Sequence, residues 1–194
     1  TALTTMDPLF LHKNLEILAK NKVNHVILEA SSHGLDQKRI DYLKLKLGIF
    51  TNISHDHLDY HKDMKSYFNS KMYLFKKLLK EKSTVITDEE NEKFRILNNI
   101  LKKRKLKKIT IGKDSGNLKI LNHSYKKNKQ IVKFSINSKI FYLQIPLIGD
   151  FQIKNLFMAA LAALCCGLKQ NAVINSLTKI RPVVGRLECI ANLK

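Results

Sequence analysis

Two short polar segments concentrate the side chains that could do chemistry. Residues 51–61, TNISHDHLDYH, hold three histidines and two aspartates in one stretch. This concentration favours metal binding or phosphate contact over a solvated loop. Because the spacing matches no zinc signature, Mg²⁺ bound to phosphate is the better hypothesis. Residues 29–39, EASSHGLDQKR, place a carboxylate before hydroxyls and a histidine, which could bind a hard cation and phosphate or sugar oxygens. Taken alone, this second segment is better explained as a turn with a capping serine.

A third candidate is Lys71, which lies in the sequence YFNSKMYLF of residues 67–75. A single lysine on a helix is ordinarily solvated surface, and spacing alone favours that interpretation. Its aromatic and apolar neighbours could desolvate it, which would lower its pKa and free the neutral amine for chemistry. Two further segments, GDFQIKN at 149–155 and GRLE at 185–188, carry no function as isolated motifs, although a helix N-terminus favours anions.

The elements expected to position these segments indicate an α/β fold. A helix is predicted over 7–22, and short apolar strands over 26–28 and 47–53 end at the two polar segments. Uninterrupted apolar strands that alternate with helices predict a mostly parallel sheet with helices on both faces. Active sites of such sheets lie beyond the carboxyl ends of the strands. Helices are also predicted over 64–80, 89–103, 151–168 and 171–179, strands over 84–87 and 109–112, and a small antiparallel hairpin over 131–143 with its turn at Asn137-Ser138.

Composition sets limits on the class of protein. The 194 residues suffice for one domain with a sizeable core, and 44% of them are hydrophobic. No apolar run is long enough to span a bilayer, and there is no signal-peptide pattern. The three cysteines form no disulfide or zinc pattern and suit a reducing cytoplasm. The chain begins with Thr rather than Met, so we expect the natural N-terminus to be missing.

The net charge of +19 raises the alternative of a non-enzymatic module that binds nucleic acid. The excess is nearly all lysine, and no aromatic residues interleave with its dense run at 102–108 to form a base-stacking platform. A lysine-rich surface is therefore favoured, and no nucleic-acid partner is expected. Salt-dependent binding to random DNA would support the alternative.

Taken together and in order, the segments resemble the Mur ligase family. The match is close over residues 29–39, 50–53, 56–61, 63–64 and 67–71, with Thr4-Thr5 before them and 149–155 and 185–188 after them. Between residues 80 and 148 only the rhythm of strands and helices agrees. Within the family, the chain looks most like the MurE type, the enzymes that add the third amino acid to UDP-N-acetylmuramoyl-dipeptide.

The resemblance implies roles for individual residues. Glu29 and His57 correspond to magnesium ligands, and Lys71 to the lysine that the family carbamylates with CO2, which converts a cation into an anionic oxygen ligand. The implied catalytic and metal-binding set is therefore Glu29, His57 and Lys71. Positions that correspond to substrate-binding residues are Thr4, Thr5, Ser31, Gln37 and Arg39, and those near the ATP nucleotide are Asn155 and Arg186.

The resemblance also implies a reaction and its partners. The substrate carboxylate attacks the γ-phosphate of ATP, and the amine of a diamino acid or lysine then displaces phosphate from the acyl phosphate. Because two anions meet in the first step, cations and positioning supply most of the catalysis. ATP, Mg²⁺ and CO2 are the expected cofactors. We expect a cytoplasmic monomer without a membrane partner.

The sequence departs from the family pattern at several positions, and part of the pattern is missing. No G-x-x-x-x-G-K-[ST] phosphate loop occurs in it. Gln152 stands where the family usually has asparagine, and residues 87–90 depart from its Asn-x-Asp-Asp. Residues 1–194 are expected to be a truncated central ATP-binding domain, without the uridine-binding and amino-acid-binding domains, and inactive as given. Folylpolyglutamate synthetase, of the same superfamily, is the alternative ligase, although residues 31–39 favour the muramoyl-peptide enzyme.

Overall fold

The computed structural model describes residues 4–126, 129–183 and 185. The chain divides into two compact units. The first comprises Thr1–Gly48, Asn52–Ser83 and Leu97–Leu106, and the second comprises Ile49–Thr51, Thr84–Ile96 and Lys107–Lys194.

The first unit contains helices whose starts follow from their capping residues. Helix α1 (Pro8–Lys20) begins where the Asp7 carboxylate accepts hydrogen bonds from the backbone of Leu9 and Phe10, with proline at the first helical position. Helix α2 (Ser32–Asp36) is capped by the Ser31 hydroxyl. Helix α3 (Met64–Tyr73) is capped by Asp63 and continues into a π-helical turn, Leu74–Leu78.

The core of the first unit forms around α3 and the chain that follows it. Met72, Phe75 and Leu79 are at most 1% exposed. A Cβ added at Gly48 would lie 3.0 Å from Leu79 Cδ1, so this core is closely packed around the glycine. The apolar face of α3 therefore fixes the rotation of the helix that carries Lys71.

The second unit contains most of a six-stranded sheet, whose strands lie side by side in chain order. Strands β2 and β3 pair in parallel, with Thr84 opposite Lys107. Strands β3 and β4 also pair in parallel. Strands β4, β5 and β6 form an antiparallel meander. The strands are β1 (Leu47–Phe50), β2 (Thr84–Asp88), β3 (Lys107–Gly112), β4 (Leu118–Lys126), β5 (Lys129–Ile136) and β6 (Lys139–Ile145).

Three more helices complete the described chain: α4 (Phe94–Lys103), α5 (Asp150–Cys165) and α6 (Gln170–Leu177). Helix α5 buries a continuous apolar stripe and contacts β2 and β3. Phe157 of this stripe packs on Phe134 of β5, with 4.6 Å between ring centroids. Among the described residues, no helix is both long and apolar enough to cross a bilayer.

The predicted fold class is confirmed, since parallel strands with helices are joined to an antiparallel addition. The hairpin turn at Asn137 and Ser138 is also confirmed, and both residues have positive φ, of 49° and 63°, as a two-residue hairpin turn requires. Strand β4 was not anticipated as a separate strand.

One predicted strand is wrong. Residues 26–28 belong to no sheet in the part of the chain that the structure describes. Val26 is 46% and Ile27 94% exposed. A strand needs a neighbouring strand to satisfy its backbone hydrogen bonds and cover its side chains. Among the described residues, no strand pairs with residues 26–28. Glu29 consequently follows an unpaired segment rather than a strand end.

Candidate functional site

Lys71 lies in the last turn of α3, half-buried among groups of opposite charge. Burial lowers the pKa of the Lys71 ammonium, and the carboxylates of Glu29 and Asp56 partly oppose that effect. Its Nζ atom lies 5.1 Å from the ring centroid of Tyr67, a buried side chain one turn earlier in the helix. Glu29 and Lys71 are 42 positions apart in the sequence, and the structure brings them close enough for their charges to interact.

His57 reaches the same tyrosine from the loop between β1 and α3. Its ring is edge-on to the Tyr67 ring, with 5.7 Å between centroids. The residue has a φ of 57°, which is uncommon for a side chain larger than glycine. Its backbone N–H donates to Asp56 Oδ1 at 2.8 Å, and its Nε2 lies 3.6 Å from Asp56 Oδ2. His57 and Lys71 thus contact the same ring. The Asp56 carboxylate interacts electrostatically with both side chains.

Two more histidines and a tyrosine complete an aromatic cluster in the first unit. The His33 ring lies 4.0 Å from the Tyr60 ring and 5.1 Å from the His57 ring, and the His61 ring stacks on Tyr67 at 5.3 Å, all between centroids. His61 is only 4% exposed, and burial lowers the pKa of its imidazole. Its Nε2 has no hydrogen-bond partner among the described residues. The two polar segments of the sequence therefore pack against each other.

The predicted substrate-binding residues are joined by hydrogen bonds. The Thr5 hydroxyl donates to the Glu29 carbonyl at 2.8 Å and lies 2.9 Å from Ser31 Oγ. Arg39 Nη1 donates to the Thr5 carbonyl at 2.8 Å, and Arg39 Nε donates to Gln37 Oε1 at 2.9 Å. Thr5 is 3% exposed, so its hydroxyl holds the segment together internally. Thr4, which precedes it, is exposed.

Close packing keeps this arrangement tight at one glycine. A Cβ added at Gly34 would lie 2.6 Å from Thr5 Cβ and 2.7 Å from Thr5 Oγ1. Since real Cβ atoms essentially never approach that closely, only glycine lets α2 sit against Thr5.

The donor atoms present are compatible with magnesium. Glu29 and Asp56 supply hard carboxylate oxygens and His57 an imidazole, all close to Lys71 or its contact Tyr67. Among the described residues, no three His, Cys, Asp or Glu side chains are arranged as a ready-made metal group.

The remaining predicted residues lie elsewhere. Asn155 is on α5 in the second unit and is half-buried. Arg186 lies outside the residues that the structure describes. On α5, Lys154 forms an ion pair with Asp88 at 2.6 Å and with Glu90 at 2.9 Å, where the sequence departs from the Asn-x-Asp-Asp pattern.

Sequence reasoning missed the link between the substrate-binding segment and the helix of Lys71. Asp36 accepts hydrogen bonds from Tyr60 and Ser70, which are 24 and 34 positions away. Each residue was visible in the sequence, but only the packing of α2 against α3 brings them together.

The chain resembles known proteins in both sequence and fold. The model of a family described as Mur ligase middle domain matches residues 1–163. The chain is 37% identical over 186 residues to the UDP-N-acetylmuramoyl-L-alanyl-D-glutamate–2,6-diaminopimelate ligase of Chelativorans sp. (strain BNC1), covering 96% of this chain and 38% of the relative. The same identity and length hold for the ligase of that name from Rickettsia bellii (strain RML369-C), covering 96% of this chain and 39% of the relative. The chain thus spans about two fifths of the length of these relatives.

Solved structures show the same fold. A ligase structure with the same name superposes with a TM-score of 0.85 at 26% identity, covering 97% of this chain and 39% of that one. MurF ligase from Thermotoga maritima, in complex with ADP, gives 0.66 at 16% identity, covering 82% and 35%. The apo form of L. casei FPGS gives 0.63 at 14% identity, covering 95% and 50%. At these lower identities, the last two show the fold alone.

Proposed function

This chain belongs to the Mur ligase family, and on that premise we propose that it is the ATP-binding central part of a ligase that joins 2,6-diaminopimelate to UDP-N-acetylmuramoyl-L-alanyl-D-glutamate. The relatives that are 37% identical to it carry that activity in their names. The observation that best supports the proposal is that His57 and Lys71 both lie against the Tyr67 ring, while the Glu29 carboxylate acts electrostatically on Lys71.

The proposed reaction has two steps. A carboxylate oxygen of D-glutamate attacks the γ-phosphorus of ATP. The bond between the γ-phosphorus and the oxygen that bridges it to the β-phosphate breaks. ADP departs, and the substrate becomes an acyl phosphate. The amine nitrogen of diaminopimelate then attacks the acyl carbon, the phosphate leaves with the electrons of the C–O bond, and the nitrogen loses a proton. We expect both steps in the cytoplasm, where ATP is supplied.

The residues of the first unit address the main obstacle, which is the meeting of two anions. Glu29, His57 and Lys71 would hold magnesium, which when bound neutralises charge on the phosphates. Arg39 presents a guanidinium beside Gln37, and its charge suits an anionic substrate. Thr4, Thr5, Ser31, Gln37 and Arg39 are proposed to hold the muramoyl-dipeptide, and Asn155 and Arg186 to lie near the nucleotide.

Lys71 is proposed to act as a carbamate. Its neutral Nζ attacks the carbon of CO2, an N–C bond forms, and a proton leaves to solvent, so the cation becomes an anionic oxygen ligand. Its half-buried position supports this proposal, because burial lowers the pKa of the amine and raises its neutral fraction at a given pH. With ¹³C-labelled bicarbonate, the full-length gene product should show a carbamate carbon resonance that is absent from Lys71→Ala.

The activity is tested by supplying the full-length gene product with ATP, Mg²⁺ and UDP-N-acetylmuramoyl-L-alanyl-D-glutamate, plus diaminopimelate or lysine. We expect a tripeptide product by mass spectrometry and one ADP released per product with diaminopimelate. Parallel reactions with a reduced folate and glutamate examine the folylpolyglutamate synthetase alternative. Glutamylation of folate without tripeptide formation would refute the proposal.

A further inference from the structure

One carboxylate joins the two parts of the site that the proposed reaction needs. Tyr60, in the histidine-containing loop, donates its hydroxyl proton to Asp36 Oδ2 at 3.0 Å. Ser70, the residue before Lys71 on α3, shares its hydroxyl proton between Asp36 Oδ1 at 3.2 Å and the Ser66 carbonyl at 3.0 Å. Asp36 is the last residue of α2, so its side chain connects α2, the loop and α3.

The connection continues into the predicted substrate-binding segment. Gln37 Nε2 donates to the Tyr60 hydroxyl oxygen at 3.2 Å, which fixes which end of the amide faces Tyr60. Gln37 Oε1 therefore faces Arg39, whose Nε donates to it at 2.9 Å. The hydrogen bonds run without interruption from Ser70 through Asp36, Tyr60 and Gln37 to Arg39.

We infer that Asp36 and Tyr60 are positioning residues, which hold the Gln37 amide and the Arg39 guanidinium in register with the helix that carries Lys71. This inference rests on the proposed function. Each oxygen of the Asp36 carboxylate has a defined donor, and the Tyr60 hydroxyl both donates and accepts. Removing either group frees Gln37 to rotate and separates the substrate-binding segment from α3.

The exposure of these groups argues against a purely structural role. Tyr60 is 39% exposed, and Asp36 and Gln37 are also exposed. Hydrogen bonds in water contribute little to the free energy of unfolding, because solvent replaces them. Their loss should therefore alter substrate binding more than stability.

The same unit offers a matched control. Tyr73, also on α3, donates its hydroxyl proton to Asp41 Oδ2 at 2.9 Å. This tyrosine–aspartate pair has the same chemistry but has no hydrogen bond to Gln37 or Arg39 among the described contacts. Tyr73→Phe thus measures the general cost of losing such a hydrogen bond.

The experiment compares Tyr60→Phe, Asp36→Asn, their double variant and Tyr73→Phe in the full-length gene product. For Tyr60→Phe and Asp36→Asn we expect kcat/KM for the muramoyl-dipeptide to fall about tenfold, because Gln37 and Arg39 are no longer held in position for the substrate. The KM for ATP should be unchanged. The double variant should lose no more than either single variant, since the two residues act as a unit. Tyr73→Phe should match the wild type.

The inference is overturned if Tyr60→Phe retains the kinetics of Tyr73→Phe, or if the losses in the double variant multiply. Should Tyr60→Phe fail to fold, Asp36→Asn and Ser70→Ala provide the same comparison. A wild type that forms no tripeptide overturns the proposed function, and this inference with it. An active wild type with unaffected variants overturns this inference alone.

Discussion

Replacement of Lys154 by methionine should expose the cost of a buried ion pair in the second unit. Its Nζ lies 2.6 Å from Asp88 Oδ2 and 2.9 Å from Glu90 Oε2, and the Asp88 side chain is only 7% exposed. Methionine keeps the length of the side chain but leaves two neighbouring carboxylates without this cation. Removing one partner of a fully buried pair costs about 3–5 kcal/mol. Since the Lys154 side chain is 29% exposed, we expect about 2–3 kcal/mol.

The matched control is Lys113→Met. Lys113 Nζ lies 3.3 Å from Glu90 Oε1, but its side chain is 68% exposed, so the loss should stay below about 1 kcal/mol. The assay is urea unfolding of the full-length gene product, followed by hydrogen exchange of α5. Equal losses in Lys154→Met and Lys113→Met would refute the argument that burial sets the cost.

The pH dependence of this difference follows from the signs of the pKa shifts. The hydrogen bond from Lys154 lowers the pKa of Glu90 below its usual 4.5, so the stability that Glu90 contributes is present above that pH and lost as pH falls. Burial alone would lower the pKa of Lys154, but the hydrogen bonds to Asp88 and Glu90 outweigh it and raise the pKa above 10.5. The stability that Lys154 contributes is therefore present below pH 10.5 and lost as pH rises through the raised pKa. The gap between wild type and Lys154→Met should be widest between these limits, and a gap that grew below pH 4 would contradict this reasoning.

Two further substitutions probe packing in each unit. Gly34→Ala should destabilise the protein by about 1–3 kcal/mol, because the new methyl group would meet Thr5 at 2.6 Å; an unchanged melting temperature would show that the contact can relax. Gln130→Leu should cost about 1–3 kcal/mol, because the fully buried amide donates to the carbonyl of Leu147, which the substitution leaves without this donor. Hydrogen exchange should then rise at the start of α5, and unaltered exchange there would argue that water replaces the amide.

Local sequence signals predicted the elements whose ends are set by their own capping or turn residues. Asp7 followed by proline marks the start of α1, and Asn137-Ser138 between alternating strands marks the β5–β6 turn. Residues 26–28 misled, because an apolar run predicts a strand only if a neighbouring strand pairs with it. Strand β4 was missed because only Leu118 among its residues is buried, so its alternation is weak.

The candidate site was predictable in composition but not in its connections. The resemblance selected Glu29, His57 and Lys71, and the fold brings His57 and Lys71 to a common neighbour, Tyr67, with the Glu29 carboxylate acting on Lys71. The bridge through Asp36 depends on how α2 packs on α3, which no local pattern encodes. The resemblance therefore nominated the candidate side chains, and tertiary packing decides which residues hold them.

We propose that Lys71 serves the ligase reaction as an anionic ligand rather than as a cation. The most direct measurement is the rate of diaminopimelate incorporation by the full-length gene product carrying Lys71→Ala, with and without acetate or formate. We predict loss of most activity and partial recovery with the added carboxylate, whereas Lys71→Arg, which keeps the positive charge, should stay inactive. Full activity in Lys71→Ala, or in Lys71→Arg, would contradict the account.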